Sequence, residues 1–310
     1  MDAAHRALLT DHQYDTITIG TIVVAALSTL GCSFIMFSYA KFSQLRNFAF
    51  EQVVNMAVAD FGIGLTSFMG SPLDGSISCT LQGLLQQFFE LASVLWTTVI
   101  AGTLFMAIIR QTDVEQYRAR IYCYGWLVPG LLALLPLSTN SYGDAGAWCW
   151  IHSKTWAETT AWRFTIFYVP LWIAIAFNGY VYWLTTKTLR RLLDVSSSVE
   201  GDDAPQRLEA LIDRLKYYPL ILIICWTLAT INRIDNSIHK RQLYALALSS
   251  RLFTTLGGLL NSLAYGVNGQ VRTAWGPVLK ACTKGGLLRE SEMTSTSSSS
   301  TKHSSTEGHV

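Results

Sequence analysis

No lysine and no histidine lies in the interior of any long apolar stretch of this chain. The missing lysine excludes retinal chemistry, whose Schiff base needs one inside the bundle; the last stretch offers only Arg251, which cannot form that linkage. The missing histidines exclude an intramembrane zinc hydrolase and a serine protease, which need imidazole beside their other ligands or their serine. All six (His5, His12, His152, His239, His303, His309) fall elsewhere. Charge is scarce as well, at 14% of residues against about 25% in soluble domains. A soluble helical bundle would need polar stripes, and residues 17–39 and 216–232 carry almost none. No Asn-x-Ser/Thr acceptor occurs, so N-glycosylation is not expected. No charged-then-apolar start follows Met1, so the first apolar helix is expected to act as its own insertion signal. No internal repeat points to a repeat-built transporter.

What is present is hydrophobic length. Half the residues are hydrophobic, and about 20 apolar residues in a helix cross a bilayer. Seven stretches qualify, at roughly 17–39, 49–71, 79–109, 120–140, 160–185, 216–234 and 243–267. All are predicted helical, because lipid gives a backbone no partner but itself. The fold class predicted is an all-α membrane protein, a seven-transmembrane-helix bundle over 17–267. An outer N-tail over 1–16 precedes it. Pro129 and Pro136 are expected to bend the fourth span. Lysine and arginine set the orientation. With the N-terminus outside, 16 of the 23 fall on the cytosolic side, six outside, and Arg251 within a span. That asymmetry favours N-terminus out and C-terminus in the cytosol.

Residues 268–282 read as a juxtamembrane amphipathic helix, a short eighth, with Val271, Trp275 and Cys282 on its apolar face and Arg272 and Lys280 toward anionic headgroups. A plain coil is the alternative, since Pro277 interrupts it. Cys282 is then a palmitoylation candidate. Residues 283–310 form a Ser/Thr-rich tail too polar to fold, read either as a linker or as a phosphorylation platform. Cys79 opens the third span on the outer side and Cys149 lies in the next outer loop. Both face an oxidising compartment, where either a disulfide across the bundle mouth or two free thiols can stand. The tryptophans at span ends, including Trp148, Trp150, Trp156 and Trp162, read as interfacial anchors.

Ionisable groups inside a membrane are costly and mark function by default. Asp60, with Asn55 nearby, lies in the second span; Asn261, Ser262 and Tyr265 lie in the inner half of the seventh. Together they form a candidate switch network, with simple helix glue as the alternative. Glu90 and Arg251 lie two to three turns below the outer surface in spans three and seven. They are candidates for an ion pair and for the floor of a ligand pocket. No catalytic or metal-binding constellation, and no cofactor motif, emerges; neither enzymatic activity nor a nucleic-acid partner is expected.

Particular strings carry a resemblance. Asn55-Met-Ala-Val-Ala-Asp60 is similar to the second-helix aspartate signature of G-protein-coupled receptors. Asn261-Ser-Leu-Ala-Tyr265 is similar to their seventh-helix Asn-Pro-x-x-Tyr element, with Ser262 replacing proline. Leu95-Trp-Thr-Thr98, Thr112-Asp-Val-Glu115, Trp148-Cys-Trp150, Phe167-Tyr-Val-Pro-Leu-Trp172, Tyr217-Tyr-Pro-Leu-Ile-Leu222 and Ile231-Asn-Arg233 are more specific. As a set they resemble the cyclic-AMP-receptor-like family, its plant-type candidate receptors above all, from the first span to the eighth helix. The resemblance implies a plasma-membrane receptor that passes an extracellular small-molecule signal to a heterotrimeric G-protein α subunit. It also implies the Cys79–Cys149 disulfide. It does not name the ligand. The coupling cleft is then expected at Arg110, Arg190, Arg191, Arg214 and Lys216. Arg110-Gln-Thr-Asp113 departs from the Asp-Arg-Tyr pattern of rhodopsin-like receptors. A membrane scaffold or small-solute transporter on the same fold is the alternative.

Overall fold

The computed structural model describes residues 9–196, 217–240, 242–266, 269–278 and 280. Arg214, Lys216, Cys282 and the tail over 283–310 lie outside the described residues. Among the described residues, the main unit, Met1–Gly266, holds seven long helices in succession. α1 is Asp11–Lys41, α2 Phe48–Phe68 and α3 Ile77–Ile108. α4 runs from Arg118 to Thr139 and α5 from Trp156 to Ser196, each composite. α6 is Tyr217–His239 and α7 Tyr244–Gly266. α1 to α5 are each long and apolar enough to cross a membrane. A short helix, α8, occupies 269–278 in the second unit.

Polar caps lying outside the apolar windows set where four helices begin. Thr10 Oγ1 accepts from the Gln13 N–H while the Gln13 side chain accepts from Thr10 N, a reciprocal box that starts α1 six residues before the expected span. Asn47, Ser76 and Thr155 cap α2, α3 and α5 in the same sense.

α1 shows why the bundle holds. Thr21, Ala25, Ser28 and Cys32 are buried on one face, and Ile19, Val23, Leu27, Leu30 and Phe37 stand exposed on the other. Small residues inward and large apolar residues outward is the reverse of a soluble helix. It is the pattern expected where lipid is the solvent and packing, not hydrophobicity, joins helices. The small face packs against α7, where Gly258 leaves no room for a side chain: a Cβ there would meet Ser28 Oγ at 2.3 Å and Asp60 Cβ at 2.9 Å.

The prolines of α4 coincide with changes of helical pitch. A π-turn over Cys123–Leu127 precedes Pro129, and a 3₁₀ turn over Leu135–Thr139 contains Pro136. α5 carries a second π-turn, Phe164–Tyr168, just before Pro170.

A hairpin joins α4 to α5, an element that hydrophobic periodicity did not announce. β1 (Tyr142–Asp144) pairs antiparallel with β2 (Cys149–Ile151), Tyr142 opposite Ile151 and Asp144 opposite Cys149. Cys149 is bonded to Cys79 at the start of α3, with Cα atoms 5.2 Å apart. Gly83 lets the hairpin lie directly on α3: a Cβ there would meet Tyr142 at 2.7 Å and the Trp150 Cα at 3.3 Å. Tyr142 OH donates to Ala133 O at 2.7 Å, and burial pushes its phenol above the ordinary range, so it stays a donor.

Candidate functional site

α3 carries a polar stripe. Gln82, Gln86, Gln87, Glu90 and Ser93 recur at three- and four-residue spacing and are all buried, so they share one inward face. Together they reach the hairpin, the α2–α3 loop, α2 and α7. Gln82 Oε1 accepts from Cys149 N at 2.8 Å while its amide donates to the Gly70 carbonyl of the α2–α3 loop at 2.8 Å. Gln87 Oε1 accepts from Trp150 Nε1 at 3.0 Å. Gln86 donates to Glu90 and accepts from Thr66 of α2 at 2.7 Å.

Glu90 and Arg251 meet. Arg251 Nη1 lies 3.6 Å from Glu90 Oε1, with both side chains buried. Arg251 also donates to Ser67 Oγ at 3.2 Å and Gln86 Oε1 at 3.4 Å, so α7 is tied to α2 and α3 at one point. Two further arginines join. Arg163 of α5 donates to the Ile151 carbonyl at 2.8 Å, and Arg233 of α6 lies beside the same hairpin; both are buried. Trp148 and Trp150 hold the three together: Arg251 and Arg233 sit 4.8 and 5.2 Å from the Trp148 ring centre, and Arg233 and Arg163 sit 5.2 and 5.5 Å from that of Trp150. These tryptophans are only 7% and 3% exposed. The interfacial-anchor reading is therefore corrected for both: the hairpin folds them into the bundle.

The cluster lines a narrow cleft. Glu90, Arg251, Arg233, Tyr168 and Trp226 surround a cavity of about 20 Å³ at its floor. A cavity of about 110 Å³ nearer the surface shares Arg233 and adds His152, Lys154, Arg163 and Asn236. Among the described residues, two arginines, Arg233 and Arg251, thus face Glu90, with Arg163 beyond them at the Trp150 ring. Arg233 Nη1 is buried with no hydrogen-bond partner among the described residues. The sequence carried a signal for Arg163 and Arg233 that was left unused: both fall inside apolar stretches, where a charge is costly.

Deeper along α3 a second centre forms. Ser93 donates to Asp60 Oδ1 at 2.5 Å, and Asn261 Nδ2 donates to Asp60 Oδ2 at 2.9 Å, joining α2, α3 and α7 around a buried carboxylate. Ser93 was not among the expected members. Asn55 is engaged elsewhere: its amide donates to Tyr122 OH at 3.1 Å and accepts from Trp126 Nε1 at 2.9 Å, tying α2 to α4. Tyr122 in turn donates to Glu51, which pairs with Arg118 at 2.5 Å. Ser262 turns to Gly258 O at 2.7 Å and toward Cys32 Sγ rather than to the carboxylate, and Tyr265 is buried. At the end of the bundle away from the hairpin, Arg110, Arg190 and Arg191 are exposed.

Residues 10–290 match the family described as the slime mold cyclic AMP receptor. "G-protein coupled receptor 1" of Arabidopsis thaliana is 37% identical over 255 residues, 81% of this chain and 77% of that protein. "Cyclic AMP receptor 1" of Dictyostelium discoideum is 24% identical over 217 residues, 68% of this chain and 53% of the relative, so the chain spans about half that receptor's length. "G-protein coupled receptor 157" of Mus musculus is 30% identical over 142 residues, 42% of this chain and 43% of that protein. With nearly its whole length matched, this membrane-spanning chain belongs to the slime mold cyclic AMP receptor family.

Proposed function

We propose that an anion-bearing small molecule enters the cleft at the hairpin end and is read out through the polar stripe of α3. The chain is a signalling receptor of the G-protein-coupled type. In this reading it lies in the plasma membrane with seven spans and its N-terminus outside, and it passes the signal to a G-protein α subunit without enzymatic activity. The observation that carries the reading is the continuity of the stripe. One helix face bears the hairpin's disulfide, the Glu90 that pairs with Arg251, and the Ser93 that holds Asp60. A ligand that reorders the arginines therefore acts on the same helices, α3 and α7, that meet at Asp60. Such a ligand must bind the two arrangements unequally to shift their populations.

The anion preference rests on the excess of buried arginine and on the unpartnered Arg233 Nη1. Several relatives are named for cyclic AMP, a phosphate-bearing molecule. The G-protein face falls at the opposite end, around Arg110, Arg190 and Arg191, with Arg214 and Lys216 from the sequence.

Nucleotide exchange on purified Gα, with the chain in lipid nanodiscs, tests the reading with and without cyclic AMP. Exchange above that of empty discs is expected, and Asp60→Asn is expected to change the basal or stimulated rate by about fivefold or more with surface delivery intact. No exchange on any Gα would overturn the coupling. An Asp60→Asn protein that signals like the parent would remove the switch.

A further inference from the structure

α3, α4 and α5 part along one side of the bundle around a groove of about 680 Å³ whose lining shares no residue with the cleft. Its floor is apolar and buried, formed by Leu91, Leu95 and Val99 of α3 and Ala174 of α5. Its rim residues Tyr124, Ile173 and Phe177 are exposed, so it opens sideways. All three helices are long and apolar enough to cross a membrane, so the medium beside the groove is hydrocarbon. From Leu91 to Met106 the lining follows α3 for about 22 Å at 1.5 Å per residue, more than one leaflet of a core about 30 Å thick.

One end differs. Tyr117 and Arg120, at the start of α4, line the groove where α3 finishes. Arg120 is exposed and lies over the Tyr117 ring at 5.6 Å, and no carboxylate pairs with it among the described residues. Its neighbour Arg118, by contrast, is held by Glu51 and Glu115. A long apolar trough whose described lining carries one cation, Arg120, at its end has the charge layout of an amphiphile's binding site.

We propose that this groove binds a membrane lipid with an anionic headgroup, its acyl chain along the α3 floor and its phosphate at Arg120. A helix of another protein, or a second copy of this chain, is the rival occupant. Arg120, the one cation among the described residues lining the trough, favours the lipid, whose net charge lies at one end.

The test uses the full chain in phosphatidylcholine nanodiscs doped with a photoactivatable phosphatidylserine or, separately, the matching phosphatidylcholine. Cross-linked peptides are mapped by mass spectrometry. Labels are expected to concentrate on 91–106, 120–132 and 170–177, with the anionic probe favoured about fivefold, the worth of one basic side chain at an anionic surface. Arg120→Gln should erase that preference while leaving apolar labelling in place. Gly102→Leu should cut labelling by both probes about tenfold, because a Cβ there meets nothing nearer than the Phe177 ring at 3.8 Å and the side chain fills the groove. Ile173→Trp, at the exposed rim, checks the same point without touching the packed interior. Labels spread evenly over the outer faces of all the helices would overturn the proposal. So would labelling unchanged by the groove-filling variants, or cross-links running between two copies of the chain.

Discussion

Glu90 is the one carboxylate among the described residues lining its cavity, where it faces Arg251 and Arg233, and this imbalance sets the response of each residue to substitution. Removing Arg251 leaves Glu90 with Arg233 still close by, whereas removing Glu90 leaves the two arginines with no carboxylate among the described residues that line the cavity. Breaking a buried pair from one side costs about 3–5 kcal/mol. Glu90→Gln is therefore expected near the top of that range and Arg251→Gln below it, with thermal unfolding in detergent as the measurement. The reverse order would mean that Arg251 matters for its bonds to Ser67 and Gln86 and not for charge balance. Glu90, Arg251, Asp60 and Asn261 were legible in the sequence because a polar group inside an apolar run stands out. Their partners were not. Ser93, Gln86 and Thr66 are common in membrane helices as glue, and only the packing of α3 against α2 shows which face each one meets. Asn55 misled for a related reason: closeness in sequence to Asp60 put it in the wrong network, and its side chain turns instead to α4.

Among the elements, helices were easy to read and the hairpin was not. Length and hydropathy announce a helix in lipid, where backbone groups have no alternative. A three-residue strand has too few positions to show alternation, and here it is fixed by tertiary partners: Gly83, Gln82 and the disulfide. The π-turns of α4 and α5 also escaped notice, although a proline two residues after each gave a partial signal. The disulfide spans 70 residues and pins β2 to the start of α3. Its loss should cost about 2–4 kcal/mol. Cys79→Ser and Cys149→Ser are each expected to reduce surface delivery, and the double variant should do no further harm. Additive losses, measured by surface labelling of intact cells, would show two independent thiols.

At the scale of the molecule, the distribution of lysines and arginines along the chain indicates its orientation. The proposed topology predicts that an epitope joined before residue 1 is reached by antibody on intact cells, and one after residue 310 only after permeabilisation. The opposite pattern would invert the receptor and move the arginine cleft to the cytosol. The hairpin has one further mechanical consequence. It is bonded to α3, its Asp144 N–H donates to Asp74 of the α2–α3 loop, and Tyr14 OH of α1 donates to the Asp144 carboxylate. That half of the mouth is a stator. α6 packs closely on α7 but lightly on α5, where its links are single contacts such as Tyr168 OH to Ala229 O at 3.3 Å and Thr160 to Ser237 at 3.2 Å. In the proposed reading, a ligand entering the cleft meets one clamped wall and one, α6, that is held to α5 by few polar links among the described residues and moves together with α7.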